Sequence, residues 1–393
     1  MTPIVILSAT RTPIGSFRGE LSGVPATRLG AAAIKGALAQ VEIDGNEVTD
    51  VIMGNVLQAG LGQAPARQAA IYAGLPNSVR SVTVHKVCGS GMQAVLNGAH
   101  ALAAGDAKIA VAGGMENMSA SPYLLPEARK GYRIGHQQLI DSMIHDGLWD
   151  PYNDLPMGGC AEMCAKKYGY TRGQQDAYAI ESFRRANAAQ ASGLLAQEIT
   201  PVVITDAKGA AKNIDRDEGP EKVNYDKIPT LRPAFGGEGT ITAANASTIS
   251  DGAAALVLAT SDAAQARGLK PLARLLSFGS HSQDPLWFTT APVRAAQIAL
   301  QRAGWNAADV DLWEVNEAFA VVPMAFMQEL AVPHRKLNVR GGAISLGHPI
   351  GASGARILVT LLAALRERGL KRGIAAICIG GGEGMAACVE IVT

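Results

Sequence analysis

Short apolar runs alternate along the chain with longer stretches in which small apolar residues recur at helical spacing. Ile4 to Leu7, Val48 to Met53 and Lys108 to Ala112 read as strands, and their continuous apolar character suits a sheet covered on both faces. Val82 to Val87 alternates and ends in the turn Cys88-Gly89-Ser90-Gly91; the third of the apolar strands closes in a tight run, Gly113-Gly114. Ala- and Leu-rich helices over about 25–41 and 91–104, and a glycine-opened one over 60–73, lie between the strands. Strand, helix, strand at this spacing predicts an α/β fold.

Between about 119 and 248 the pattern changes. Prolines, tyrosines, charges and histidines enter, and only 158–192 reads as a helix pair, broken at Gly169-Tyr170-Thr171. Thr171 suits an N-cap, with Gln174 at the reciprocal capping position. From about 250 the strand-and-helix pattern resumes, and it resumes as a repeat. ALAQVEIDGNEVTDVIMGN (37–55) is echoed by ALQRAGWNAADVDLWEVN (299–316). GSGMQAVLNGAHALAAGDAKIAVAGGMENM is echoed by GASGARILVTLLAALRERGLKRGIAAICIGGGEGM. Chance likeness between Ala/Gly-rich segments is the rival reading, but the shared order of turns favours two copies of one unit. The expected organisation is a first half over 1–118, completed by about 249–270, an inserted loop domain over 119–248, and a second half over 271–393.

Charge then narrows the partners. Thirty-five Lys and Arg against 34 Asp and Glu leave a net +1, which offers no basic face for nucleic acid. No apolar window reaches a membrane span of about 18 residues, and the N-terminus lacks a basic, cleavable leader. The five cysteines, Cys88, Cys160, Cys164, Cys378 and Cys388, match neither a disulfide framework nor a metal set; a reducing cytoplasm is expected. Glycine stands out at 44 of 393 residues, against an ordinary frequency of about 7%. This implies close backbone packing around something.

Cys88 follows a strand and precedes a helix, where unpaired amides and the helix dipole favour thiolate. Its rival reading is a small buried cysteine in a packed turn. His348, between Gly347 and Pro349, is placed to present a ring nitrogen, and imidazole near a thiol makes a nucleophile at neutral pH; a turn histidine bonded to backbone is the alternative. Cys378 precedes Ile379 and Gly380-Gly381-Gly382, whose amides can cradle an anion, although such runs often mark only a turn. Asn316 is an amide in apolar surroundings, and a core network would explain it equally well. Together these residues suit acyl transfer through a cysteine, with a second thiol for proton abstraction beside a carbonyl.

With those residues in place, the chain resembles the thiolase family over essentially its full length. Val87-Cys88-Gly89-Ser90-Gly91, Asn316-Glu317-Ala318-Phe319, Gly347-His348-Pro349-Ile350-Gly351 and Cys378-Ile379-Gly380-Gly381-Gly382 carry the resemblance, and the acetoacetyl-CoA-forming branch fits best. It implies two similar βαβαβαββ-type halves packed in five layers around an inserted loop domain. It implies that two acetyl-CoA molecules condense to acetoacetyl-CoA and CoA, with no permanently bound cofactor and no metal. Cys88 would be acylated, His348 would activate it, and Cys378 would take the α-proton. Asn316 with His348 would form one oxyanion hole through a water, and the amides of Cys88 and Gly380 the other. Leu148, Met157, Phe235, Ala243, Ser247, Ala318 and Phe319 would line the CoA path. A homodimer, assembling as a homotetramer through a loop near 120–140, is the implied state.

Four positions depart from the family pattern: His85 and Arg340 where asparagine is usual, Pro156 before Met157 in place of histidine, and Thr289 after Phe288 in place of proline. None removes a reacting group, but the last two bear on acyl-chain selectivity, where one wall residue shifts discrimination by about 1–3 kcal/mol. The rival readings are a 3-ketoacyl-CoA thiolase for longer chains, a ketoacyl synthase-like condensing enzyme, and a non-catalytic carrier.

Overall fold

The computed structural model describes residues 3–205 and 209–392. Strands β1 (Ile4–Arg11), β2 (Asp50–Gly54), β3 (Arg80–Val84), β4 (Ile109–Asn117) and β5 (Ser250–Thr260) form the first half's sheet in the order β3-β2-β4-β5-β1. Strands β6 (Ala273–Ser282), β7 (Leu312–Val315), β8 (Arg372–Ile379) and β9 (Glu383–Ile391) form the second in the order β7-β8-β9-β6. The pairing repeats as well: β2–β4 and β7–β8 are parallel, and the two pairings that follow in each half are antiparallel. At the junction Ile4, Val5 and Ile6 of β1 pair antiparallel with Leu275, Arg274 and Ala273 of β6. Hydrogen bonding therefore runs without a break from one half into the other.

The longer helices are α1 (Ala26–Ala39), α2 (Pro65–Tyr72), α3 (Ser90–Ala104), α4 (Met157–Tyr168), α5 (Arg172–Ala191), α6 (Ala291–Ala303), α7 (Val321–Leu330) and α8 (Ile350–Glu367). Three apolar clusters separate the layers. One lies between α1 and α2 and the first sheet, around Leu29, Ile34, Val51 and Val111. The central one holds Val95 and Leu102 of α3 and Ile357 and Leu361 of α8 between the two sheets. The third covers the far face of the second sheet, with Ala295, Trp313 and Phe326, and takes in Cys160, Cys164 and Phe183 from α4 and α5. Strand β5 shows why its apolar run is unbroken: Ala254, Leu256 and Leu258 face the central cluster, while Ala253, Ala255 and Val257 face the outer one.

Helices α3 and α8 meet at glycines. A Cβ on Gly354 would lie 2.5 Å from the Met92 nitrogen, and one on Gly91 would lie 2.8 Å from the Ala355 nitrogen. The run Gly113-Gly114 is not the turn that its composition suggested, because β4 continues through it to Asn117. A Cβ on Gly113 would strike the Ala254 carbonyl at 2.0 Å and one on Gly114 the Gly351 carbonyl at 2.1 Å. The glycines serve lateral contact with β5 and α8 rather than chain reversal.

Helices α4 and α5 lie in the stretch between β4 and β5, along with three two-stranded pairings. Thr171 caps α5 through its hydroxyl, and Gln174 returns the bond to the Thr171 amide at 2.8 Å. Among the described residues no helix is long and apolar enough to cross a membrane.

Candidate active site

The turns before the two central helices carry Cys88 and His348, each two residues ahead of its helix. The first turn is held tightly. The Ser90 hydroxyl accepts from the Lys86 amide at 2.8 Å and donates to the Val87 carbonyl at 2.6 Å. Val87 takes a φ of 44°, a conformation that β-branched residues rarely adopt. His85 supplies an acceptor as an asparagine would: its Nδ1 lies 3.3 Å from the Val87 amide. Lys86 pairs with Glu383, tying this turn to the hairpin of β8 and β9.

That hairpin carries Cys378 at the end of β8, fully buried, and then Gly380 to Gly382, with φ of 90° and 85° at the last two. The backbone amides of Gly380 and of Cys88 itself act on the Cys88 sulfur to favour its thiolate. The expected thiolate character of Cys88 is not what the resting site favours. Burial pushes its thiol up to about 11, outweighing both amides, and the neighbouring Glu116 carboxylate adds to the rise. Apolar enclosure raises a thiol more than a helix end lowers it. Burial also drives Cys378 well above the ordinary thiol range, and the proximity of Cys88 raises it further.

His348 is buried, and its tautomer follows from its partners. Ser353 Oγ lies 2.6 Å from His348 Nδ1 and donates its own proton to the Pro349 carbonyl at 2.9 Å. The hydroxyl can then only accept, so Nδ1 carries the hydrogen and Nε2 keeps its lone pair. Nε2 has no partner among the described residues. Burial, and secondarily the Arg356 cation, hold the ring down to about 3, so it is neutral. Arg356 is itself paired with buried Glu314 at 2.9 Å.

Asn316 follows β7, and its backbone amide donates to the carbonyl of Ala376 on β8, the strand that carries Cys378. Both of its side-chain polar atoms are buried without a partner among the described residues. Leaving such atoms unpaired costs about 1–3 kcal/mol each, so they are retained at the expense of stability.

Two carboxylates that sequence reasoning overlooked lock these turns. Glu116 accepts from the Asn55 side chain at 2.7 Å and from the amides of Val56, Leu57 and Gly351 at 3.0, 3.1 and 2.9 Å. Glu317 accepts from Tyr178, Ser182, Asn338 and the Ile344 amide at 2.9, 2.7, 2.8 and 3.1 Å. Glu116 is a single acid in an apolar, glycine-bounded run, and Glu317 is an acid in the mostly apolar stretch 312–326; these were the available signals. Ser353 offered none beyond its place on the helix that follows His348.

The residues expected along the CoA path fall mainly in one region. The Phe235 and Phe319 rings meet edge-on at 6.1 Å, and Phe288 meets Phe319 at 6.4 Å. Met157 reaches Gly380, with its Cε 3.5 Å from where a Cβ there would stand. The Ser247 amide donates to the Ala318 carbonyl at 2.9 Å. Leu148 packs on the apolar cluster that Cys88 borders. Ala243 is exposed on a turn closed by the Asn245 amide and Thr242 carbonyl. A cleft of about 630 Å³ bordered by Lys270 and Arg366 contains none of these groups, so concavity alone would misplace the site.

A thiol beside amide donors, a neutral imidazole with a free nitrogen, and a second thiol at a glycine hairpin define an acyltransferase on a duplicated α/β scaffold. The chain belongs to the thiolase family: residues 4–262 match its N-terminal domain and 269–391 its C-terminal domain. It is 51% identical over 391 residues to acetyl-CoA acetyltransferase 2 of Arabidopsis thaliana, covering 99% of this chain and 97% of the relative. It is 50% identical over 387 residues to acetyl-CoA acetyltransferase of Pseudomonas aeruginosa, covering 98% of each. Among solved structures, the Bacillus anthracis acetyl-CoA acetyltransferase superposes with a TM-score of 0.97 at 38% identity, covering 100% and 99% of the two chains. An Ascaris suum thiolase in complex with coenzyme A gives 0.94 at 44% identity, covering 99% and 100%.

Proposed function

We propose that this enzyme condenses two acetyl-CoA molecules to acetoacetyl-CoA and CoA, reversibly, through an acetyl-Cys88 intermediate. The near-complete coverage by acetyl-CoA acetyltransferases at about half identity supports the substrate. The observation that carries the chemistry is the relay from Pro349 through Ser353 to His348, which leaves Nε2 as the acceptor. The thiol, held neutral at rest, becomes a nucleophile only as such a group takes its proton during the attack. His348 takes the Cys88 proton as sulfur attacks the first thioester, and the departing CoA thiolate takes the proton of Cys378. While protonated, Nε2 becomes a donor and faces the oxyanion together with Asn316 through a water.

In the second half-reaction Cys378, as thiolate, removes the α-proton of the second acetyl-CoA. The enolate carbon attacks the acetyl-Cys88 carbonyl, whose oxygen lies toward the amides of Cys88 and Gly380. Cys88 thiolate leaves and recovers its proton from His348 while Cys378 keeps the α-proton, so both thiols end the cycle as they began it.

Met157, Phe235, Phe319 and Ser247 would flank the pantetheine arm, with Leu148, Ala243 and Ala318 along the same path. Residues 1–118 with 249–270, 119–248 and 271–393 are our domain limits. Strand β3 lies at a sheet edge with Val82 exposed, and Ile134 and Leu139 are exposed apolar residues near 120–140. Both features support a homodimer assembling as a homotetramer. A cytoplasmic setting fits five free cysteines. Thiolysis rates for acetoacetyl-CoA and 3-ketooctanoyl-CoA test the substrate assignment: the shorter substrate is expected to react faster, and a clear preference for the longer one would overturn it.

A further inference from the structure

Four buried charged side chains that take no part in the chemistry above form an unbroken series. Arg340, 1% exposed, donates through Nη1 to Glu198 Oε2 at 3.1 Å and to the Leu194 carbonyl at 3.1 Å, and through Nη2 to the Ala363 carbonyl at 3.2 Å. The other oxygen of Glu198 accepts from Arg11 Nε at 2.7 Å and from Thr360 at 2.9 Å. Arg11 in turn grips Asp217 with both terminal nitrogens, at 2.7 and 2.8 Å. Asp217 finally accepts from the Ile14 amide at 2.8 Å. Two cations and two anions alternate, so the buried series is neutral.

The two ends of this series return to one loop. Arg340 is the residue ahead of Gly341, where the loop leading to His348 begins. Ile14, at the other end, packs against Leu346. A Cβ on Gly347 would lie 2.7 Å from Ile14 Cγ2, so Ile14 also presses on the residue directly before His348. Leu195, next to the carbonyl that Arg340 holds, packs against Leu346 too. These contacts account for an arginine standing where the related pattern has asparagine, because a shorter amide would not span from this backbone to Glu198.

We propose that Arg340 is a positioning residue for His348, with the series Arg340–Glu198–Arg11–Asp217 clamping both ends of the 341–348 loop and so fixing where Nε2 points. The proposal rests on the reading of His348 as the group that deprotonates Cys88. Removing Arg340 alone would leave Glu198 under-paired in the interior, which is strongly destabilising. The informative protein is therefore the charge-balanced R340M/E198Q variant, in which Arg11 keeps Asp217.

The experiment is single-turnover acetylation of Cys88 by acetyl-CoA in the parent, R340M/E198Q, H348N and the triple variant, with R340K as the conservative change. R340M/E198Q is expected to fold, to acetylate Cys88 ten- to a hundredfold more slowly, and to keep KM for acetyl-CoA within about twofold, because a mispositioned base changes the chemical step and not uniform binding. R340K should recover part of the rate. In the H348N background the same two changes should add no further slowing. Parental acetylation by folded R340M/E198Q, or equal slowing with and without His348, would overturn the clamp while leaving the role of His348 intact. Parental acetylation by H348N would instead remove the reading beneath it.

Discussion

Ser353 stands one helical turn beyond Pro349 and holds His348 Nδ1 at 2.6 Å while giving its proton to the Pro349 carbonyl at 2.9 Å. The helix that follows the histidine thus decides which nitrogen is basic. Ser353→Ala leaves Nδ1–H without its acceptor and frees the ring to turn or change tautomer. Acetyl-enzyme formation should slow about 10- to 100-fold, the range in which a misplaced general base acts. KM for acetyl-CoA should stay nearly constant. Rapid-quench measurement of acetyl-Cys88 checks this, and an unchanged rate would refute it.

The two thiols should separate by reaction step. Cys88→Ala is expected to abolish labelling by radioactive acetyl-CoA. Cys378→Ala should still be labelled, yet release little acetoacetyl-CoA. Equal labelling of both variants would exchange or dissolve the assigned roles.

Asn316 offers a stability gain at the cost of function. Asn316→Leu removes two buried polar atoms that pair with no described residue and so sheds part of a desolvation cost of about 1–3 kcal/mol per atom. The variant should melt higher and condense acetyl-CoA at least tenfold more slowly. Differential scanning calorimetry beside a condensation assay reads both, and a lower melting point with full activity would contradict the assignment.

The buried imidazole makes a pH signature. His348 binds its proton near 3 when folded and near the ordinary 6.5 when unfolded. The unfolded chain therefore holds more protons between these values, and stability falls as pH drops below 6.5. By pH 5 this loss amounts to about 2 kcal/mol. His348→Gln should flatten that part of the stability–pH curve in urea titrations; an unaltered slope would show that other groups govern it.

The contact between the central helices admits no side chain. Gly91→Ala places a methyl 2.8 Å from the Ala355 nitrogen and 3.1 Å from two carbonyl oxygens. Overpacking of this kind costs about 1–3 kcal/mol. A fall in melting temperature accompanied by slower acetylation is expected, because α3 and α8 each follow a reacting turn. Parental stability would show that the helices separate without cost.

Much of this was legible in the chain because the groups we assign to the reaction sit in or next to turns that glycine and proline mark. Cys88, His348 and Cys378 each stand beside such residues, and the order of turns recurs in both halves. What periodicity cannot supply is contact between distant segments. Glu116 meets the Gly351 amide across 235 positions, and Arg11 meets Asp217 across 206. The glycines at 113 and 114 misled for the same reason, since the neighbours that require them lie on β5 and α8. The Cys88 thiol reversed its expected shift because enclosure depends on everything packed around it, whereas a helix end is visible locally.

The paired turns ahead of α3 and α8 have one more consequence. Two copies of one unit would, if identical, present identical residues in these equivalent turns. A pair of cysteines there has no base, and a pair of histidines has no nucleophile. Divergence of one turn from the other converts a symmetric contact into a donor and an acceptor already facing each other. Grafting either turn onto both halves would undo that difference, and would be expected to return a folded but inert protein.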